Sequence, residues 1–484
     1  MIALIIFKVC FSYIRNKLLI YVLENIDYNM HSFTFKHILS FPYRVFKNKT
    51  TGEVISRIND LSNIKNMMAK VIVSIGMDLI SAFLLFIVLL IVNKTLFLIS
   101  IMIVVLYLII YYLFKNKLRI LTVDAYEKYS DFYSYMNECI NGFESIKSNN
   151  FEEMISIKFK NKYVKFLKSG FLRSKLELFV MSLKDFVSNA GNIFILFIGM
   201  FMVIEGSMTL GSLIMFNSLL IYFLDPIRNL IDMDSLIRDA FISFDRVKDL
   251  LEIEKEKNEG IEVKNILGNI DIKNLHFSYD NKNSILESVN LKIKHGEKIL
   301  ITGSSGNGKS TLLKLLCGYY EVERNSIFID DVDILNYNKE SLRKQIIYVS
   351  QKETLWTDSI YNNIVCDRSI NYKKFLKMCD IMNIDKFINN RKIGYDFLLE
   401  ENGFNISGGQ RQRIILARNM ISRKNIILLD EATSEIDPNL ERDILKNIFS
   451  EYSLSTFIMI SHREVNSDLF TRVYNINNGN ARIC

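Results

Sequence analysis

Four stretches of this chain are apolar over lengths that a helix in water does not sustain. Residues 71–92 hold a single charge, Asp78, and residues 96–114 hold none. At 1.5 Å per residue the first stretch makes a helix of about 33 Å, matched to a hydrocarbon core of roughly 30 Å. Only Asn93-Lys94-Thr95 separates the two, so they read as a hairpin. A second hairpin spans 180–204 and 211–231, joined by Glu205-Gly206-Ser207-Met208-Thr209, and Asp225-Pro226 predicts a kink or the end of its membrane portion. Residues 2–7 are also apolar, but Lys8, Arg15 and Lys17 follow them, the reverse of a signal peptide. The expectation is five spans, near 2–24, 71–92, 96–114, 180–204 and 211–231. Met1 then begins partway down a spanning helix, with a first span missing upstream.

Lys and Arg orient this arrangement. Residues 31–70 carry seven of them and residues 115–175 carry twelve, whereas the two hairpin tips hold only Lys94. The long loops are therefore cytoplasmic and the tips outside. Helical spacing continues through those loops, which predicts helices that extend past the membrane and turn at cytoplasmic bends near Asn48–Asp60 and Asn141–Asn150. Part of the basic charge suits lipid headgroups.

The pattern changes after Asp232. Residues 236–260 read as an exposed helix and linker. Beyond about 270, short β-rich runs (Lys298–Thr302, Ile346–Ser350, Ile426–Asp430, Thr456–Ser461) alternate with helical stretches, predicting an α/β domain with a partly parallel sheet. Across the whole chain, 49% of residues are hydrophobic and 23% charged, with 3 Pro and 20 Gly, which excludes disordered and collagen-like classes. Six scattered cysteines exclude a disulfide scaffold, and five dispersed histidines exclude a His-based metal site.

Candidate chemistry lies in three segments. Gly303-Ser304-Ser305-Gly306-Asn307-Gly308-Lys309-Ser310-Thr311 follows an apolar strand and opens a helix. Glycines there let backbone N–H groups curl around phosphates at a helix start; Lys309 reaches the terminal phosphates and Ser310 offers a hydroxyl to Mg²⁺. Ile426–Leu429 is a buried-strand run ending in Asp430 and Glu431, placed to hold Mg²⁺ and to polarise water respectively. Ser407-Gly408-Gly409-Gln410, before a helical run, forms a second anion-binding helix start. One nucleotide does not need two cradles on one subunit, so two copies facing head to tail would use both.

Together these segments resemble an ATP-binding cassette (ABC) transporter. Residues 270–484 resemble its α/β nucleotide-binding domain, residues 1–235 its all-α polytopic transmembrane domain, and 236–269 a linker. The resemblance implies ATP and Mg²⁺ as ligands, with catalytic roles for Glu431, His462, Lys309 and Gln351. Tyr279 would stack on adenine, and Gly303 to Thr311 would wrap the phosphates. Ser407, Gly408, Gly409 and Gln410 would clamp ATP held by a partner subunit, while Ser310, Gln351 and Asp430 would hold the metal. Alone, Tyr279 reads as a core tyrosine and His462 as a strand-end histidine; their order and spacing among the other motifs reverse that. Departures are small: Ile406 for the usual Leu, Glu435-Ile436 for Ala-Leu, and Ser461 for Ala.

The resemblance is nearest to exporters of bacteriocins and double-glycine peptides, with Lys49–Arg57 and Asn141–Lys147 as the cytoplasmic bends, docking near Gln351 to Trp356. It implies a half-transporter in the cell membrane, its nucleotide domain in the cytoplasm, working as a homodimer or heterodimer among lipid. No nucleic-acid partner is implied. Cys10 lacks a protease-like setting, so peptide cleavage is not expected. The alternatives are an ATP-binding subunit, truncated or split, that does not transport alone, or an exporter of lipids or drugs.

Overall fold

The computed structural model describes residues 2–49, 51–280, 284–391, 394–463, 466–477 and 479–483. They form two units, Met1–Phe41 with Lys47–Lys255, and Pro42–Phe46 with Glu256–Cys484.

The first unit is helical: α1 (Ile2–Leu39), then, after the short α2 (Tyr43–Lys47), α3 (Thr51–Val92), α4 (Lys94–Asn141), α5 (Phe143–Ser148), α6 (Glu152–Ile204) and α7 (Leu210–Leu251). Among the described residues, three helical stretches are long and apolar enough to cross a membrane: α4, α6 and Leu210–Ile231 of α7; Asp78–Val92 of α3 is a shorter apolar stretch. The expected spans 2–24 and 71–92 rest in part on side chains at 2–12 and 72–77, which lie outside the described residues. Hairpin tips are capped locally. Asn93 accepts from the Leu96 N–H at 3.0 Å, and Thr209 and Ser212 cap one another at the start of α7. An apolar cluster including Leu89, Phe97, Ile195 and Phe216 joins α3, α4, α6 and α7.

One expectation needs correction. The first bend lies upstream of Asn48–Asp60: α1 stops at Leu39, Pro42 opens α2, and α3 is helical from Thr51. Pro42 lacks an N–H to continue α1, while its carbonyl accepts from Val45 and Phe46 at 3.0 and 3.2 Å. Thr51 and Gly52, inside the expected bend, belong to the first turn of α3. Beyond Pro226, α7 runs on to Leu251 and buries Val247 and Leu250 against Leu61, Ile64, Ile38 and Val54. The second bend falls where expected, with α5 between Gly142 and Asn149.

The second unit carries two sheets. The chain runs β1 (Ile270–Phe277), β2 (Leu286–Ile293), β3 (Lys298–Thr302), α8 (Lys309–Leu316), β4 (Ile327–Ile329), β5 (Val332–Asp333), α9 (Lys339–Arg343) and β6 (Ile346–Val349). It continues α10 (Ile360–Val365), α11 (Tyr372–Ile381), α12 (Ile384–Arg391), α13 (Gly408–Met420), β7 (Ile426–Asp430), α14 (Pro438–Glu451), β8 (Thr456–Ile460), β9 (Arg472–Asn477) and β10 (Asn480–Ile483). A four-stranded antiparallel sheet has the order β2-β1-β4-β5; the six-stranded sheet runs β10-β9-β3-β8-β7-β6, parallel from β9 to β6. Its strands β3, β7 and β8 are buried at every position, which is why they read as unbroken apolar runs. Their carboxyl ends gather at one edge, where ligands of such sheets bind.

Candidate functional site

The loop after β3 turns on glycines that no other residue could replace. Gly303 has φ +135°, and a Cβ there would sit 2.2 Å from the Ile476 carbonyl oxygen. Gly308, at φ +85°, caps α8, and a Cβ would meet Leu286 at 2.6 Å. Ser304, Ser305, Gly306 and Asn307 lie between; Asn307 Nδ2 ties the loop to the Ile476 carbonyl at 3.1 Å. Lys309, only 5% exposed, folds back over the loop and donates to the carbonyls of Gly303 and Ser304 at 2.7 and 2.8 Å. Burial holds its pKa below the ordinary lysine value, against the raising influence of Glu431 and Asp430.

Asp430 ends β7 opposite this loop. Its Oδ1 accepts from Ser310 Oγ at 2.7 Å and its Oδ2 from the Tyr348 hydroxyl at 3.1 Å. Glu431 follows at φ +52°, a left-handed conformation unusual for a glutamate. Both of its oxygens are engaged: Gln351 Nε2 donates to one at 2.7 Å, and His462 Nε2 lies 3.0 Å from the other. The hydroxyls of Tyr279 and Thr311 are 3.0 Å apart. Residues scattered from 279 to 462 thus meet at the carboxyl edge of the sheet.

Ser407, Gly408, Gly409 and Gln410 stand apart from that cluster. Ser407 begins α13 in a capping box with Gln410, whose Oε1 accepts from the Ser407 N–H at 3.1 Å. They line a cleft of about 430 Å³ with Arg413, Glu435, Ile436, Asp437 and Leu440. The glycines admit Glu435: a Cβ on Gly408 would be 1.8 Å from its Oε2. Arg411 holds that carboxylate at 2.9 and 3.1 Å.

The sequence reading passed over two contributors. Tyr348 was taken only as a strand residue before Gln351, although it holds Asp430. Arg463 donates to the carbonyls of Ile436 and Ser434, both at 2.7 Å, and so shapes the loop before α14. Neither leaves a signal in one sequence, since each depends on which strand lies alongside.

A phosphate-binding loop, a strand-end acid pair and a second glycine-opened helix on an α/β unit, preceded by a bundle of membrane-length helices, define a nucleotide-binding membrane protein. Residues 1–227 match the family "ABC transporter transmembrane region" and residues 286–434 match "ABC transporter". The chain belongs to the ABC transporter family and is a multi-pass membrane protein that binds nucleotide. It is similar to the Lactococcin-G-processing and transport ATP-binding protein LagD of Lactococcus lactis subsp. lactis, at 31% identity over 94% of this chain and 66% of that protein. It is likewise similar to the transport/processing ATP-binding protein ComA of Streptococcus pneumoniae, at 30% identity over 95% and 64% respectively. The chain therefore spans just under two thirds of the length of these relatives. Its fold is that of a bacterial Atm1-family ABC exporter solved with ATP bound, at TM-score 0.86 and 22% identity, covering 98% of this chain and 84% of that one.

Proposed function

We propose that this protein is one half of a dimeric ATP-driven exporter whose cargo is a peptide of the bacteriocin class, moved out across the cell membrane, with the nucleotide unit in the cytoplasm. The observation that carries the reading is the Glu431 carboxylate, held at both oxygens by Gln351 and His462 beside the Asp430–Ser310 pair. A carboxylate so fixed orients a water for attack on the terminal phosphoryl group and takes its proton. Lys309, close to the phosphate loop, stabilises the charge that builds on the phosphoryl oxygens. Tyr279 offers its ring to adenine, and the glycine-rich backbone from 303 to 308 binds the phosphates. His462 and Gln351 sense whether the terminal phosphate is present.

The site suits Mg²⁺, because Ser310 Oγ and Asp430 Oδ1 are hard oxygen donors already meeting at 2.7 Å, with the Gln351 amide nearby. When bound, that ion neutralises charge on the nucleotide phosphates. The Ser407–Gln410 segment clamps ATP held by the second subunit, so pairing of the nucleotide units follows ATP binding and hydrolysis releases it. Cargo moves only if it binds the two membrane conformations unequally. Peptide is the favoured cargo because the similar protein LagD is named for the processing and transport of lactococcin G.

The test is uptake into inside-out vesicles containing this chain. A double-glycine-leader bacteriocin should accumulate with MgATP and not with ADP, and Lys309→Ala should abolish uptake. Equal accumulation without ATP would overturn the reading.

A further inference from the structure

We propose that Glu435 is a specificity-determining residue of the nucleotide clamp. Its carboxylate stands at the opening turn of α13 as a built-in rival of the terminal phosphate of ATP, and it holds down the affinity of the clamp for that phosphate. The inference rests on the functional reading above, in which Ser407–Gln410 receives ATP held by the second subunit. What it adds is the group that sets how tightly the nucleotide is received.

The start of a helix draws an anion through N–H groups without helical partners and a partial charge of about +0.5. In this chain an anion of its own already stands there. A Cβ on Gly408 would lie 1.8 Å from Glu435 Oε2, so the carboxylate touches the α13 backbone at its first residue. Backbone contacts fix this approach. The Glu435 N–H donates to Gln412 Oε1 at 2.8 Å, and the Glu435 carbonyl oxygen lies 2.8 Å from where a Cβ on Gly409 would be. Arg463 pins the residues on either side, donating to the Ile436 and Ser434 carbonyls at 2.7 Å.

The other charged residues that line the cleft, Asp437 and Arg413, are engaged elsewhere. Asp437 caps α14 through the N–H groups of Asn439 and Leu440, and Arg413 donates to the carbonyls of Gly409 and Asn383. Arg411 answers Glu435, its Nη2 lying 2.9 and 3.1 Å from the two carboxylate oxygens. A phosphate arriving at α13 therefore meets a carboxylate at the helix start and a guanidinium already claimed by it. Neutralising Glu435 removes the repulsion and frees Arg411 for the phosphate, so both changes tighten the clamp. Removing Arg411 instead leaves the carboxylate unopposed and loosens it.

The experiment uses the full chain in lipid nanodiscs and compares Glu435→Gln, Arg411→Gln and the double variant. The probes are adenylyl imidodiphosphate, which keeps a third phosphoryl group and resists hydrolysis, and ADP, which lacks that group. Glu435→Gln should bind the imidodiphosphate about 2–5-fold more tightly, with ADP binding unchanged. Arg411→Gln should bind it about 2–5-fold more weakly, and the double variant should return close to the unaltered chain. The gain should shrink between about 50 and 500 mM KCl, because Arg411 and Glu435 are 35% and 44% exposed. Glutamine keeps the size of the side chain, so a merely structural role predicts no change. Unchanged affinity in Glu435→Gln, an equal gain for ADP, or a gain indifferent to salt would overturn the proposal. If Glu435→Gln does not fold, Glu435→Ala carries the same expectations. Ser407→Ala tests the underlying reading separately. If it leaves the preference for the imidodiphosphate over ADP intact, the clamp role of Ser407–Gln410 fails. If it lowers that preference while Glu435→Gln does not move it, the role of Glu435 alone fails.

Discussion

In the nucleotide unit the polar side chains at the sheet edge are aimed toward a common point, whereas in the helical unit a charged pair on two neighbouring helices is spent on itself. Ser310 and Tyr348 converge on Asp430, and Gln351 and His462 on Glu431, beside a loop whose backbone is arranged for an anion. In the helical unit, Arg228 on α7 pairs with Asp185 on α6 at 2.6 Å, and Ser100 satisfies its hydroxyl on the Phe97 carbonyl at 2.7 Å. Asp185 precedes the end of α6 by about 19 residues, which places it about 28 Å from the hairpin tip, near the far side of a core of roughly 30 Å. Charges at such depth are costly unless paired. A convergent set announces a ligand; a paired set announces only that the helices fit. That is why the nucleotide unit reveals the chemistry of its ligand and the helical unit reveals none.

The sharpest way to break this contrast is to neutralise the centre of the convergent set. Glu431→Gln keeps size and hydrogen-bonding reach while removing the base. Steady-state ATP hydrolysis should fall by about 10²–10⁴-fold with ATP affinity retained. Hydrolysis within a few-fold of the unaltered chain would mean that the carboxylate is structural, as the pairs in the membrane unit are.

Legibility in the sequence followed the same divide. The phosphate loop could be read because part of its demand is local: the glycines at 303 and 308 hold φ of +135° and +85° whatever lies beside them. The strand-end acids could be read because β7 is an unbroken apolar run that closes on Asp430. Tyr348 on Asp430 could not be read, since it depends on β6 lying in register beside β7, with Tyr348 opposite Leu428. The bend at Pro42 was missed for a related reason. Lys49 to Gly52 has turn composition, and only the tertiary packing of Tyr43 shows that the chain has already turned.

A smaller effect tests the paired set itself. Arg228→Leu leaves the half-buried Asp185 carboxylate without its guanidinium, and Asp185 is 47% exposed, so the cost is moderated to about 1–3 kcal/mol. The thermal midpoint in detergent should drop, and the double change Asp185→Asn with Arg228→Gln should restore most of it, while ATP affinity stays constant. If instead stability is unmoved and peptide uptake is lost, the pair belongs to a convergent cargo site and the contrast between the units narrows.

The smallest effect asks whether pairing also occurs inside the nucleotide unit, away from its site. Glu441, on the first turn of α14, is 2% exposed and accepts from Thr433 Oγ1 and from Asn466 Nδ2, the latter at 3.2 Å. Burial pushes its pKa above the ordinary carboxylate value, and the hydrogen bonds and Arg463 only partly oppose this. The folded chain therefore holds a proton on Glu441 at pH values where the unfolded chain has released it. The stabilisation belongs to the protonated form: it is complete below the unfolded value and fades as pH rises through the raised folded value. At neutral pH the ionised group weighs against the fold, so Glu441→Gln should raise the thermal midpoint at pH 7 by an amount worth about 1 kcal/mol or less, and that gain should vanish near pH 4.5. Following the midpoint of both proteins from pH 4.5 to 8 by intrinsic fluorescence checks the sign. A gain that grows on acidification would place Glu441 among groups that favour the charged form.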